Sequence, residues 1–422
     1  MPFSWNISPI GYHDLAGRPG FKLAMQEIDE RFFLYVAPMW QSGMSVLEVT
    51  NPARPELLRW VDGPPNTWTI QVQVADGLAV TGMEHIPAGW TFGERGGPSD
   101  GVALWDVSVP DDPRQVGTWA SGGTGTHRNF YAGGRYVHCA ANLPGYEGQF
   151  YVALDIEDPR APRVVGRWWW PGQHVAGGEH YTEADLARWR GGRPYPPDSP
   201  QHALSLHGGA YVSGDRAYCP WMRAGLVILD VADPGEPRLV SHLSMYPPLG
   251  STIATHTAVP LDDRALVVVN SEALNERRRE PVGYAGIVDV SDERDPVLVS
   301  LFPQPRTPPG YPFRSFREKG GRFGPHNQHQ PQGQACLAPY ADYTFLTYFN
   351  AGLQVFDISD PYDPYIAAYY IPDDPPDRRG PLPSDLVVQV EDVLVDRRGV
   401  IYISEKNSGL TILGMDGFTQ LT

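Results

Sequence analysis

Residues 225–243 read GLVILDVADPGEPRLVSHL. An apolar, β-branched run ends at Asp230, a proline-punctuated turn follows, and a second apolar run leaves. Runs of this length bounded by Gly, Asp and Pro are strand signals. The carboxylate of Asp230 is placed to accept from backbone N–H groups of the turn. Pro234 and Pro237 lack a donor and fix φ, which suits turns and sheet edges.

The same pattern recurs along the chain. It reads VALWDVSVPDDPRQVGTW at 102–119, YVALDIEDPRAPRVVGRW at 151–168, AGIVDVSDERDPVLVSLF at 285–302 and GLQVFDISDPYDPYIAAYY at 352–370. Weaker copies are MSVLEVTNPARPELLRW at 44–60, marked by Glu48, and GLTILGMDGF at 409–418, marked by Gly414. Two further strand-like segments precede most copies, for example TIATHTAVPL and RALVVVN ahead of Asp289. Four strands per unit, repeated in series, predict an all-β, seven-bladed β-propeller with four-stranded blades. The blades fall near residues 21–62, 66–120, 124–170, 202–246, 251–302, 326–372 and 385–418 of a single domain. The segment TEADLARWR is the best helix candidate, and it lies outside the repeat.

The motif G-L-x-I-x-D-V-x-D-P, carried from about Phe21 to Phe418, resembles the LVIVD-repeat family of β-propellers. The resemblance implies the fold and leaves activity open, because propellers host many functions.

A net charge of −16 argues against nucleic acid, whose binders need a basic face, and against anionic membranes. No run is apolar and long enough to span a bilayer, and the N-terminal residues lack the pattern of a signal peptide. Cys139, Cys219 and Cys336 have no metal-type spacing, so a cytoplasmic location is expected. Elbow, P-loop, H-E-x-x-H and EF-hand motifs are absent from the sequence.

Used as a ruler, the repeat aligns a second set of residues. His127, His207 and His256 precede the second strand of their units at similar offsets, and Glu391 holds that place in the last unit. GPHNQHQPQ offers His326 or His329. First strands of different blades converge on a propeller axis, so these side chains predict a divalent transition metal site for Fe, Mn or Zn. Unrelated propeller enzymes, iron oxygenases and manganese lyases, hold metals in this way, which is an analogy of fold. Glu391, Glu272 and His85 are the candidate catalytic groups.

Insertions at 85–100, 171–201, 271–284 and 303–325 are expected to crowd one face above the channel. Their Arg277, Arg314 and Arg317, with Trp189 and Tyr311, are candidate substrate-binding residues, since guanidinium forks match carboxylate or phosphate. The sequence thus points to a metal-dependent lyase, hydratase or oxygenase acting on a small organic molecule. A metal-free acid–base enzyme built on the same His/Glu cluster is the first alternative. A non-catalytic scaffold or ligand-binding propeller with structural histidines is the second.

Overall fold

The computed structural model describes residues 2–87, 97–182, 204–247, 249, 251–261, 263–276, 283–339 and 342–417. The chain is all-β, built of antiparallel meanders in which consecutive strands pair. One runs Leu23–Ile28, Arg31–Val36, Gly43–Glu48, Glu56–Asp62. Another runs Ile253–Leu261, Leu266–Glu272, Ala285–Asp289, Val297–Leu301. A nine-stranded sheet consists of two such meanders, ending in Arg114–Trp119 and Arg163–Trp168 and joined by the single pair Gly125 and Glu84, with the short strand Thr67–Trp68 added against Leu78–His85.

The repeated Asp residues close their strands as turn acceptors. The Asp106, Asp155, Asp230, Asp289 and Asp357 carboxylates each accept from the backbone N–H two residues on, at 2.8–3.0 Å. A second regularity is invisible in the alternation of residues. A bulge in the pairing of third and fourth strands falls at Val46/Leu47, Leu104/Trp105, Ala153/Leu154, Ile228/Leu229, Ile287/Val288 and Val355/Phe356. Each begins two residues before the marker acid, so the marker positions are structurally equivalent. Such bulges steepen the local twist.

The N-terminal residues, outside the repeat as read from sequence, complete two sheets. Phe3–Trp5 pairs with Tyr365–Ile371, and Ile7–His13 pairs with Gly409–Met415. Ile7–His13 carries Pro9 on an edge and has its own bulge opposite Ile412 and Leu413, two residues before Gly414. It therefore stands as the fourth strand of the last meander. Contacts between neighbouring meanders also repeat. A Cβ added to Gly117 would lie 1.9 Å from the Pro159 carbonyl oxygen, and one on Gly166 would lie 1.9 Å from that of Pro234. Gly11, in the N-terminal strand, stands 2.0 Å by the same measure from the carbonyl oxygen of Pro52 in the first meander. Arg398 adds bonds to the Val49 and Thr50 carbonyls, tying the chain's end to its start.

The core lies between sheet faces. One cluster joins Val80 and Leu104 to Cys139 and Leu154, and these to Trp221 and Leu229 of the next sheet. Burial of each such side chain contributes roughly 1.5–3 kcal/mol. The three cysteines are free and buried, and burial raises their thiol pKa values. No helix among the described residues is long and apolar enough to cross a membrane.

Candidate metal centre

Irregular backbone presents the site residues. In Gly125–Phe130, pairing with the next strand skips His127, and in Val390–Val395 it skips Glu391. In Ile253–Leu261 it skips from Ile253 to Thr257, and His256 lies in the gap. A bulged residue is freed from the strict two-sided alternation of a strand, so its side chain can be re-aimed. His207 lies outside regular structure, just before Tyr211–Ser213. Its chain passes so close to His256 that a Cβ on Gly208 would sit 1.4 Å from the His256 carbonyl oxygen.

The imidazoles form a continuous file. Ring centroids are 4.1 Å apart for His127 and His207, 5.4 Å for His207 and His256, and 4.9 Å for His256 and His326. The Glu272 carboxylate is nested against three of them. Its Oε2 lies 3.4 Å from His207 Nε2 and 3.4 Å from His256 Nε2, while Oε1 lies 3.6 Å from His326 Nε2. Arg322 donates to Oε1 at 3.2 Å. Ligand atoms of His207, His256 and Glu272 all fall within 4.8 Å of one another. His256 Nε2 and Glu272 Oε2 are buried without hydrogen-bond partners.

Carboxylates face the outer ring nitrogens. Glu84 Oε2 meets His127 Nδ1 at 2.7 Å, and Gln149 donates to Glu84 Oε1 at 2.8 Å. Glu391 Oε2 lies 3.3 Å from His326 Nδ1, and Lys406 pairs with Glu391 Oε1 at 2.6 Å. Burial, then repulsion from His207 and Arg128, keeps His127 and His256 neutral. Burial likewise holds His326 neutral despite Glu272. Burial alone would raise the Glu272 pKa, but His326, His207 and Arg322 outweigh it and hold it far below the usual range. A neutral His256 and His326 beside an ionised Glu272 are the protonation states a metal requires of such ligands.

A cavity of ≈ 630 Å³ opens onto this cluster, lined by His127, His207, His326, Glu84, Glu272 and Glu391. Three insertions reach it through Pro87, Leu274 and Arg322.

The remaining candidates lie elsewhere. His329 spends both ring nitrogens on the backbone, Nε2 on Ala338 O at 2.9 Å and Nδ1 on Val395 N–H at 3.1 Å. It therefore has no lone pair left for the cluster, and His326 takes the inward place. His85 is outside the cavity lining, and the neighbouring Glu84 is in it. The pairing explains this. Glu84 stands opposite Trp68 as Glu272 stands opposite Ile253 and Glu405 opposite Val390, so the counterpart of Glu272 is Glu84. A one-residue slip along a strand reverses the face. Arg314 is solvent-facing and pairs with Glu318 at 3.0 Å. Arg317 stacks over Phe323, and Tyr311 packs between Phe3 and Phe316. None of these three lines the cavity. Trp189, Arg277 and nearly all of the helix candidate lie outside the described residues. Sequence reasoning missed Glu84, Gln149, Arg128 and Lys406.

The family model for the LVIVD repeat matches residues 209–244 and 333–370. The chain carries LVIVD repeats. The first matched LVIVD segment begins two residues after His207, and the second begins four residues after His329. No curated protein matches the chain. Among solved structures, it is similar to a periplasmic gluconolactonase of Pseudomonas aeruginosa, with 9% identity, 94% of this chain and 98% of that one covered, and a TM-score of 0.56. It is similar to the β-propeller domain of Cps50 (Swd1) from Myceliophteria thermophila, with 11% identity, 94% and 98% covered, and a TM-score of 0.52. It is also similar to a hypothetical selenium-binding protein of Sulfolobus tokodaii, with 12% identity, 88% and 82% covered, and a TM-score of 0.52. At these identities the likeness is one of fold, and the fold is propeller-like.

Proposed function

We propose that the LVIVD meanders close into a single-domain, seven-bladed propeller whose axial cavity is the active site of a metal-dependent enzyme acting on a small organic substrate. Support for closure is the repeated Gly-to-Pro contact between neighbours, which recurs between Gly11 and Pro52. Support for a reducing compartment such as the cytoplasm is the three unpaired cysteines.

The observation that carries the metal reading is the partnerless pair His256 Nε2 and Glu272 Oε2, both buried and 3.4 Å apart beside His207 Nε2. Ligand atoms about 2.1 Å from a tetrahedral ion stand roughly 3.4 Å from each other. His207, His256 and Glu272 would hold the ion, with His326 beside them. Fe, Mn or Zn bound there would polarise a substrate oxygen or activate water. Glu84 meets His127 Nδ1 and so steadies the ring that packs against His207. Lyase, hydratase and oxygenase chemistry all use such a centre.

One observation favours a metal-free acid–base reading. Burial pushes Glu84 up to about 7, against the pull of His207 and Arg128, beside His127 in the cavity. A carboxyl of that pKa can give and take protons near neutrality. Calorimetric titration of chelator-stripped protein with Zn²⁺, Mn²⁺ and Fe²⁺ separates the two. The metal reading requires one tight site that Glu272→Gln weakens, and heat-silent titrations with all three ions would leave the acid–base reading.

A further inference from the structure

We infer that the substrate of this cavity is a small apolar carboxylate, received by the guanidinium of Arg128. The inference deepens the active-site reading above and rests on it.

Arg128 follows His127 on the same bulged strand and lines the cavity with His127, His207 and Glu272. Only 3% of it is exposed. Its surroundings differ from those of the other cations gathered there. Lys22 pairs with Asp392 at 2.7 Å, Lys406 with Glu391 at 2.6 Å, and Arg322 with Glu272 at 3.2 Å. No carboxylate among the described residues pairs with Arg128. It has one long bond, Nη1 to the Ile70 carbonyl at 3.4 Å, and lies over the Phe21 ring at 5.0 Å. Glu272, Asp392, Glu84 and Glu391 stabilise it only from beyond ion-pair distance, and a docking anion supplies the close charge partner it lacks. The fork accepts a carboxylate in two parallel hydrogen bonds, and the Phe21 face holds its plane.

The rest of the lining sets the body of the ligand. Phe21, Met39, Trp68, Ile70, Met222 and Leu274 make apolar walls. The volume suits a small organic molecule. Glu84, Glu272 and Glu391 share the cavity, and they repel a phosphate dianion more than a carboxylate monoanion. A single negative charge on an apolar frame satisfies all three features.

The test is calorimetric binding of benzoate, phenylacetate, 3-phenylpropionate and hexanoate, each against its neutral amide, to the full chain in chelator-stripped and Zn²⁺-loaded form. At least one acid should bind both forms, and its amide should bind about tenfold more weakly or worse, the loss of one charge-assisted pair. Arg128→Met should reduce the acid to the level of the amide, while the solvent-facing Arg314→Met leaves it unchanged. The acid-against-amide comparison needs no variant, so it stands even if Arg128→Met fails to fold. Equal binding of acid and amide, no binding by any acid, or full acid affinity in Arg128→Met would overturn the inference. Acid binding that requires Zn²⁺ and survives Arg128→Met would overturn it while leaving the metal reading standing. Acid binding through Arg128 in a protein that takes up no metal would uphold it and sink the metal reading.

Discussion

Glu272 Oε2 lies 3.4 Å from His256 Nε2, and neither buried atom has a hydrogen-bond partner. Buried polar atoms in native proteins are nearly always satisfied, and the pair supports the proposed cation site because it sits among further ligand-type atoms. His207 and His326 also turn their Nε2 atoms toward the same carboxylate.

Glu84 should matter more than its neighbour. Glu84→Gln keeps the shape but removes the charge that fixes His127 Nδ1. Metal affinity should fall, by up to about tenfold, because His127 packs against the ligand His207. His85→Gln should leave affinity within experimental scatter. Competition with a chelating dye measures both, and equal losses would show that the register assignment is mistaken.

Gly208→Ala tests the close approach of the two histidine-bearing segments. The added Cβ would meet the His256 carbonyl oxygen at 1.4 Å, so backbone must move. Overpacking of this kind costs about 1–3 kcal/mol. We expect a lower urea midpoint together with weakened metal binding. A variant as stable and as metal-competent as the parent would contradict the geometry.

Acid should weaken the fold through its buried histidines, an effect read in Glu84→Gln so that the Glu84 carboxyl, raised to about 7, does not offset the loss. Burial lowers His138 and His329 from 6.5 to about 4. Between those values the unfolded chain takes up protons that the native state refuses. Stability is therefore highest above 6.5 and falls as pH drops toward 4. Each histidine removes about 2 kcal/mol between about pH 7 and about pH 5. Urea denaturation at the two pH values measures the sum, and a flat profile would refute it.

Removal of residues 2–13 should open the proposed ring. The segment supplies the fourth strand beside Gly409–Met415 and the contact from Gly11 to Pro52. The truncated chain should show a lower melting temperature and expose a sheet edge prone to association. An unchanged melting temperature would argue against closure through this strand.

The scaffold was legible because its repeat is local. The five aspartates each act within two residues of themselves, and a turn acceptor is readable from the sequence alone. The histidine file was partly legible, since His127, His207 and His256 hold similar offsets. The choice between His326 and His329 was not, because it depends on which ring bonds Ala338 and Val395 across the sheet. Glu84 was hidden by a one-residue difference in strand register. Arg128 was hidden because a bulge re-aims it. The strand Ile7–His13 was hidden because its partner lies at the other end of the chain.

The central claim is that these side chains hold a metal. Elemental analysis of purified wild-type protein beside His256→Ala addresses it most directly. About one Fe, Mn or Zn per wild-type chain, and its loss from a still-folded His256→Ala, is the predicted result. Wild-type protein free of transition metal, or a content unaltered by His256→Ala, would contradict it.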